Sequence, residues 1–349
     1  MCNMAGYVGR KRAAEVLIDM MRREEGFAGG YYTGIATING GNISAEKCIG
    51  DLDRLLSTTA AASLSGNVGI MHSRSKGGGN GEWGHPFFGY SEEDRKIAYI
   101  ANGGMGYFKS GEAERIAIAN SLYKAGYELR SRMQRPKQSA AHPRLFDGYD
   151  VHVSDVMCQL IYKNLRDGSN AVDAIERAYC EMPGEIAGLL VLPEVDNAIV
   201  WARISMPIFL AFASHGVYVA STPLAFPDDA GEPILLPANS CGLIYADTYT
   251  VKRFDAPPAK VASIDASAHL KAFECISERL REGDKIFADL YKDIDELFEP
   301  AEVYPREPMA YEIIYAMERQ GKLSCRIDRV DGVLKELDAP QIRMRLIDE

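Results

Sequence analysis

Five short apolar runs crowd the stretch after Pro183, at 186–192, 198–202, 208–213, 217–221 and 241–246. Each is strand-length rather than helix-length. Several carry no polar face, which is the pattern of a strand covered on both sides. A chain with this many doubly covered strands must stack its sheets under other layers. The 349 residues, 47% of them hydrophobic, are enough to do so in one large or two smaller domains.

Further strands are read at 4–9, 32–38, 68–73 and 96–101, with Asn39-Gly40-Gly41-Asn42 as a hairpin turn leading to a strand that ends near Cys48. Helical periodicity marks 12–25, where Ala14, Val16, Leu17, Met20 and Met21 share a face, and also 52–64, 111–127, 155–166 (with Ser154 as N-cap) and 170–182. The polar stretch 130–148, with two prolines, reads as an insertion or a mobile loop. Beyond Pro257-Pro258 the chain turns charged, with helices expected at 266–282, 285–298, 308–320 and 326–337 and a strand at 341–347. That order resembles a winged helix in outline. From Val303 onward eight Lys or Arg stand against nine Asp or Glu, which is not a basic DNA-reading face. The expected division is a domain over 2–256 and a mostly helical appendage over 257–349.

Composition narrows the function. The net charge of −10 argues against non-specific nucleic-acid binding. Seven scattered cysteines form no C-x-x-C pair, so no metal site and no cofactor is expected, and they fit reduced thiols in the cytoplasm. Neither a signal-peptide core nor an apolar run of membrane-spanning length is found.

Chemistry concentrates at strand ends and helix starts. Cys2 follows Met1 directly. Once Met1 is removed, one residue would carry a thiol of pKa about 8.5 and an α-amine of pKa about 8, a nucleophile with its own base. Arg74 closes the 68–73 strand and has the fork to bind a carboxylate. Asn102 and Gly103 close the 96–101 strand and suit an oxyanion. Asp155 opens a helix and suits an α-ammonium group. Five glycines between 77 and 84 mark a loop whose backbone can approach a ligand, and a surface loop and a substrate lid both remain open there.

Read in order, these pieces resemble the class II glutamine amidotransferase domain, an N-terminal-nucleophile hydrolase, in particular the glutaminase half of glucosamine-6-phosphate synthase. The segments that carry the likeness are Met1-Cys2-Asn3-Met4-Ala5-Gly6, Gly69-Ile70-Met71-His72-Ser73-Arg74-Ser75, Trp83-Gly84-His85-Pro86-Phe87, Asn102-Gly103, Ser154-Asp155, Ala202-Arg203-Ile204-Ser205-Met206-Pro207 and Val219-Ala220-Ser221. Together they span about residues 2–250. The resemblance implies an α+β fold, a four-layer αββα sandwich of two antiparallel sheets, here with a C-terminal helical or winged-helix-like appendage. It also implies Cys2 as nucleophile, Asn102 and Gly103 as the oxyanion hole, and Arg74, Asp155 and His85 on the substrate side. The implied reaction hydrolyses L-glutamine through a Cys2 thioester. The ammonia would pass to a separate synthase subunit. A non-catalytic glutamine-binding or regulatory relative, and an amidohydrolase of another amino-acid amide, stay open, as does homo-oligomerisation. The sequence departs from the family at Asn3, which stands beside the nucleophile where the family has glycine, at Ser75, where it has a tryptophan on the ammonia route, at Gly77-Gly78, where it has Thr-His, and over 27–34, where its Arg-Gly-x-Asp-Ser-x-Gly stretch is reduced.

Overall fold

Apolar strands that alternate their side chains can bury both faces only by stacking, and this chain stacks two antiparallel sheets face to face. The computed structural model describes residues 2–91, 94–104, 111–135, 142–298, 303 and 305–347. The strands are β1 (Asn3–Gly9), β2 (Tyr32–Asn39), β3 (Asn42–Ile49), β4 (Val68–Arg74), β5 (Phe87–Ser91), β6 (Asp94–Gly104), β7 (Glu185–Val191), β8 (Ile199–Arg203), β9 (Phe209–Ala213), β10 (Gly216–Ala220), β11 (Ile234–Leu235), β12 (Ser240–Ile244) and β13 (Lys252–Arg253). One sheet runs β11-β9-β10-β1-β4-β2-β3 and the other β13-β12-β8-β7-β6-β5. Helices α1 (Ala13–Glu24) and α2 (Leu52–Thr58) lie with the first sheet, while α3 (Glu112–Lys124), α4 (Val153–Arg166) and α5 (Ala171–Glu181) lie with the second.

The three apolar clusters follow from this stacking. Met4, Val8, Ile70, Ile100, Leu189, Ile199 and Trp201 fill the space between the sheets. Tyr99, Val156, Leu160, Ile175 and Leu190 join the second sheet to its helices. Tyr7, Leu17, Met20 and Met71 cover the outer face of the first sheet. This is the αββα sandwich. Gly6 lets the sheets close, because a Cβ there would stand 3.0 Å from both Leu189 and Ile199.

The C-terminal elements are α6 (Ala266–Arg281), β14 (Lys285–Ile286), α7 (Phe287–Asp295), α8 (Arg306–Arg319), β15 (Leu323–Asp331) and β16 (Asp338–Leu346). Ile276, Leu290, Ile313, Ile314 and Met344 join the same cluster as Leu17 and Met20, so these elements pack into the outer layer that holds α1. Their three strands form a separate antiparallel sheet, β14-β16-β15.

Four expectations change. The helix expected at 326–337 is the strand β15, paired with β16 from Leu323–Leu346 to Asp331–Asp338. Cys325 is exposed and Ile327 is 61% exposed, so backbone pairing rather than a buried face holds β15, and no burial period was there to read. The helix expected at 285–298 starts as β14 and turns helical only at Phe287. Helix α4 is capped by His152, whose Nδ1 accepts from the Ser154 N–H at 3.1 Å, so Ser154 is already inside the helix. The 130–148 stretch is tied down where it is described: Met133 and Asp150 exchange backbone hydrogen bonds at 2.9 Å, and Arg144 pairs with the buried Asp150 at 2.6 Å. Residues 136–141 lie outside the described residues.

Leu189 is fully buried between the sheets. Leu189→Ala is expected to lower unfolding free energy by about 2–5 kcal/mol. Ile327→Ala, on the exposed strand, should change it by no more than about 0.5 kcal/mol. Urea denaturation of the two variants checks this, and equal losses would contradict the layer assignment.

Candidate active site

The two-residue period of a strand decides which side chains meet between the sheets. In β1 the even positions Met4 and Val8 point into the inter-sheet core, while Ala5 and Tyr7 belong to the outer cluster. Cys2 extends the even series. In β4 the even positions Val68 and Ile70 point inward and Met71 points out, so His72 and Arg74 continue the inward row. In β6 the inward residues are Ala98 and Ile100, and Asn102 comes next. Strands β1 and β4 are paired with Met4 opposite His72, which brings these rows to one end of the sandwich.

The two sheets meet there through a hydrogen bond. The Cys2 backbone N–H donates to Asn102 Oδ1 at 2.8 Å. The thiol is buried, with the Ser75 N–H 3.5 Å and Ser75 Oγ 3.7 Å from its sulfur. Burial alone would push the thiol up. Interaction with the His72 imidazole and the Ser75 N–H outweigh it, and the thiol is lowered to about 5. His72 Nε2 lies 2.9 Å from the Ala101 carbonyl oxygen. Because a carbonyl only accepts, Nε2 carries a proton and donates it to Ala101.

Two of the departures, Asn3 and Ser75, resolve differently. Asn3 is an odd position and turns away, its Oδ1 accepting from the Ala28 N–H at 3.3 Å, so it does not crowd the sulfur. Ser75 takes up a place beside the sulfur and gives it two polar contacts.

Arg74 is 7% exposed, and its guanidinium lies over the rings of Tyr32 at 4.8 Å and Trp83 at 5.8 Å. Its Nη1 is buried with no hydrogen-bond partner among the described residues. Such a donor costs on the order of 1–3 kcal/mol until an acceptor reaches it. The glycine loop lies directly on this group: Tyr32 donates its hydroxyl to the carbonyls of Gly77 at 3.1 Å and Gly79 at 2.9 Å, and a Cβ at Gly77 would stand 2.6 Å from Arg74 Nη2.

Asp155 and His85 sit one layer back. Asp155 is buried and accepts from the Ser131 N–H at 2.9 Å, the Ser131 hydroxyl at 2.7 Å and Gln159 Nε2 at 3.3 Å. Its link toward Arg74 runs through Ser131, whose carbonyl accepts from Trp83 Nε1 at 2.6 Å, and through the Trp83 ring that Arg74 overlies. His85 stacks on His72 with ring centroids 3.9 Å apart, and burial holds it well below the usual histidine range, hence neutral. Gly103 has φ +134°, and a Cβ there would lie 2.0 Å from the Glu185 carbonyl oxygen, so only glycine can follow Asn102. No group of three or more His, Cys, Asp or Glu suited to a metal ion occurs among the described residues.

Three nearby residues were not singled out in the sequence. His72 was in view, two positions before Arg74 on the same strand face. Tyr32 follows from its pairing opposite Arg74 in β2. Glu307, which accepts from Asn102 Nδ2 at 3.5 Å, lies 205 residues further along the chain and has no local signal.

Cys2 thus stands at the head of a central strand, inside a four-layer sandwich, with its backbone nitrogen hydrogen-bonded to an asparagine of the opposing sheet. Comparison with known proteins narrows this. The chain matches no protein-family model. It is 26% identical over 254 residues to the isomerising glutamine–fructose-6-phosphate aminotransferase of Pyrococcus horikoshii, covering 72% of this chain and 38% of that protein. It is 29% identical over 281 residues to the enzyme of the same name from Mycobacterium leprae, covering 73% and 38%. The chain thus spans less than two-fifths of the length of these relatives. Among solved structures, the glutamine phosphoribosylpyrophosphate amidotransferase of B. subtilis superposes with a TM-score of 0.58 at 17% identity, over 79% of this chain and 58% of that one. A structure described as the allosteric regulatory enzyme of purine biosynthesis gives 0.59 at 17%, over 80% and 58%. Over about three-quarters of its length the chain is thus similar in sequence to these glutamine-dependent aminotransferases, and its two-sheet sandwich shares the fold of these two solved structures. No described helix is long and apolar enough to cross a membrane.

The thiol position makes a direct prediction. With its folded pKa lowered to about 5, Cys2 is a thiolate from weakly acidic pH upward, whereas burial pushes Cys48 and Cys241 up to about 12. Iodoacetamide near neutral pH should label Cys2 first, with a rate midpoint far below the ordinary thiol value of about 8.5. Peptide mapping across a pH series reads this, and a midpoint at or above the ordinary value would contradict it.

Proposed function

We propose that this chain is a glutamine amidotransferase subunit that hydrolyses L-glutamine at Cys2 and passes the ammonia to a separate synthase subunit. The observation that carries the reading is the 2.8 Å hydrogen bond between the Cys2 nitrogen and Asn102 Oδ1, which sets the nucleophile against an amide from the opposing sheet. Support comes from the lowered thiol, from the unpartnered Nη1 of Arg74 and from the relatives' names.

On this reading Met1 is removed and the Cys2 nitrogen becomes a terminal amine. Sulfur bonds to the side-chain carbonyl carbon of glutamine, and the carbonyl electrons move onto oxygen. Asn102 Nδ2 and the Gly103 N–H stabilise that oxyanion. Collapse expels the amide nitrogen, which takes a proton from the Cys2 ammonium and leaves as ammonia. Water then adds to the thioester, giving up a proton to the amine, and glutamate departs as the thiol is restored. Arg74 binds the substrate α-carboxylate, and Asp155, held through Ser131 at the next layer, balances the α-ammonium. His85 supports His72 from behind.

Two variants test the assignment by ammonia release. Cys2→Ala should abolish activity. Arg74→Ala should raise KM for glutamine by about 10- to 100-fold, the loss of a charge-assisted pair worth about 1.5–3 kcal/mol, with a smaller change in kcat. Unchanged KM would remove Arg74 from the site, and activity surviving in Cys2→Ala would remove the mechanism.

A further inference from the structure

Helix α8 begins at the end of the sandwich where Cys2 lies. Its second residue, Glu307, is 2% exposed. Oε1 accepts from Asn102 Nδ2 at 3.5 Å, and Oε2 has no hydrogen-bond partner among the described residues. The same asparagine accepts from the Cys2 nitrogen through Oδ1. Burial raises the Glu307 carboxyl to about 7, against the opposing pull of the positive chain terminus and the Asn102 amide. Once ionised above that pH it is an acceptor only, and it then fixes which way the amide faces: Nδ2 toward Glu307, Oδ1 toward Cys2. One Nδ2 hydrogen then remains free for an oxyanion.

The neighbourhood is more polar than a docked helix requires. Along the same helix Met309, Ile313 and Ile314 bury apolar side chains in the ordinary way. Tyr311, one turn past Glu307, instead buries a hydroxyl with no partner among the described residues. Burial raises its hydroxyl well above the usual range, and Glu307, Glu24 and Cys2 all push in the same direction, so these groups lie within electrostatic reach of one another. Both oxygens of Glu24 and the Asn3 Nδ2 are likewise buried, with no partner within hydrogen-bond geometry among the described residues, although Asn3 and Ser221 face the Glu24 carboxyl. Burying a carboxylate costs several kcal/mol on the order of its desolvation, and removing it in favour of an apolar residue is often neutral or stabilising. Apolar packing therefore does not account for Glu307, which also lies within electrostatic reach of the buried Arg203 guanidinium and of Tyr291 as well as of Cys2. The start of α8 is also fastened to the strand beside the oxyanion position. Arg306 pairs with Glu185 at 3.7 Å, and Glu185 lies opposite Gly104 in the β6–β7 ladder, next to Gly103.

We propose that Glu307, contributed by the C-terminal elements, is a positioning residue of the Cys2 site: it orients the Asn102 amide and supplies the negative charge that holds the Cys2 amine as an ammonium ion. The inference rests on the glutaminase reading for its rate effect, but not for its effect on Cys2. In the reaction above, the ammonium is the group that protonates departing ammonia. A nearby carboxylate favours that charged form, so loss of the carboxylate lowers the pH at which the ammonium gives up its proton. The same loss removes a negative neighbour from the thiolate and so lowers the thiol midpoint as well.

The test uses the full chain with Glu307→Gln, Glu307→Ala and, as a packing control on the same helix, Met317→Ala. Processing of Met1 is checked by intact mass. Cys2 alkylation by iodoacetamide and glutamine hydrolysis are followed across pH, with thermal unfolding in parallel. Glu307→Ala is expected to lower kcat about 10- to 100-fold with KM little changed, because the amide is no longer held in line. Glu307→Gln keeps an acceptor for Asn102 and should recover most of kcat at its optimum, while the basic limb of its pH profile and the alkylation midpoint both move to lower pH. Met317→Ala should lower stability and leave both profiles in place. Alkylation profiles of both Glu307 variants that superpose on the wild type would overturn the proposal. So would Glu307 variants that behave like Met317→Ala. Should the wild type release no ammonia, the glutaminase reading fails by itself, and the alkylation profiles alone decide for or against Glu307.

Discussion

Everything at this site depends on the pleat of three strands. Side chains two apart share a face, so the inward rows of β1, β4 and β6 end in Cys2, in His72 and Arg74, and in Asn102. A slip of one residue in β1 would turn Cys2 toward α1 and bring Asn3 inward. The register is held by the inter-sheet core, in which Met4, Val8, Ile70, Ile100 and Leu189 must all stay buried together. The chemistry at the sandwich end is therefore set by hydrophobic packing well away from it.

The same burial creates the electrostatic problem that the polar groups solve. A thiolate and a guanidinium both lose hydration between the sheets. Burial acts against each charge, raising the thiol and lowering the arginine, and the Cys2 thiolate in turn favours the charged guanidinium. His72 and the Ser75 N–H give the thiolate partners in this dry environment, while the rings of Tyr32 and Trp83 give the arginine a face to lie on. Among the described residues Nη1 keeps an unused donor, suited to an anionic ligand.

Much of this was legible in the sequence because it was local. Cys2, Arg74 and Asn102-Gly103 stand at strand ends, and the apolar runs around them announce doubly covered strands. His72 was equally legible from period two, being one step back along the inward row. Asp155 was placed correctly at a helix start, but its oxygens are taken up by Ser131 and Gln159, partners that only the folded chain brings to it. Glu307 was out of reach, since it sits in a charged helix that gives no hint of burial until α8 is laid against Asn102. Strand β15 was misread for the opposite reason. Its side chains are largely exposed and its stability comes from pairing with β16, so its sequence carries no burial period.

The central claim is that Cys2 is the nucleophile toward glutamine. Incubation of the processed chain with 6-diazo-5-oxo-norleucine, followed by peptide mass spectrometry, tests it most directly. A single adduct on Cys2, formed faster than on any other cysteine and suppressed by L-glutamine, is the predicted result. Modification spread over several cysteines, or a Cys2 left free on a chain that has lost Met1, would contradict it.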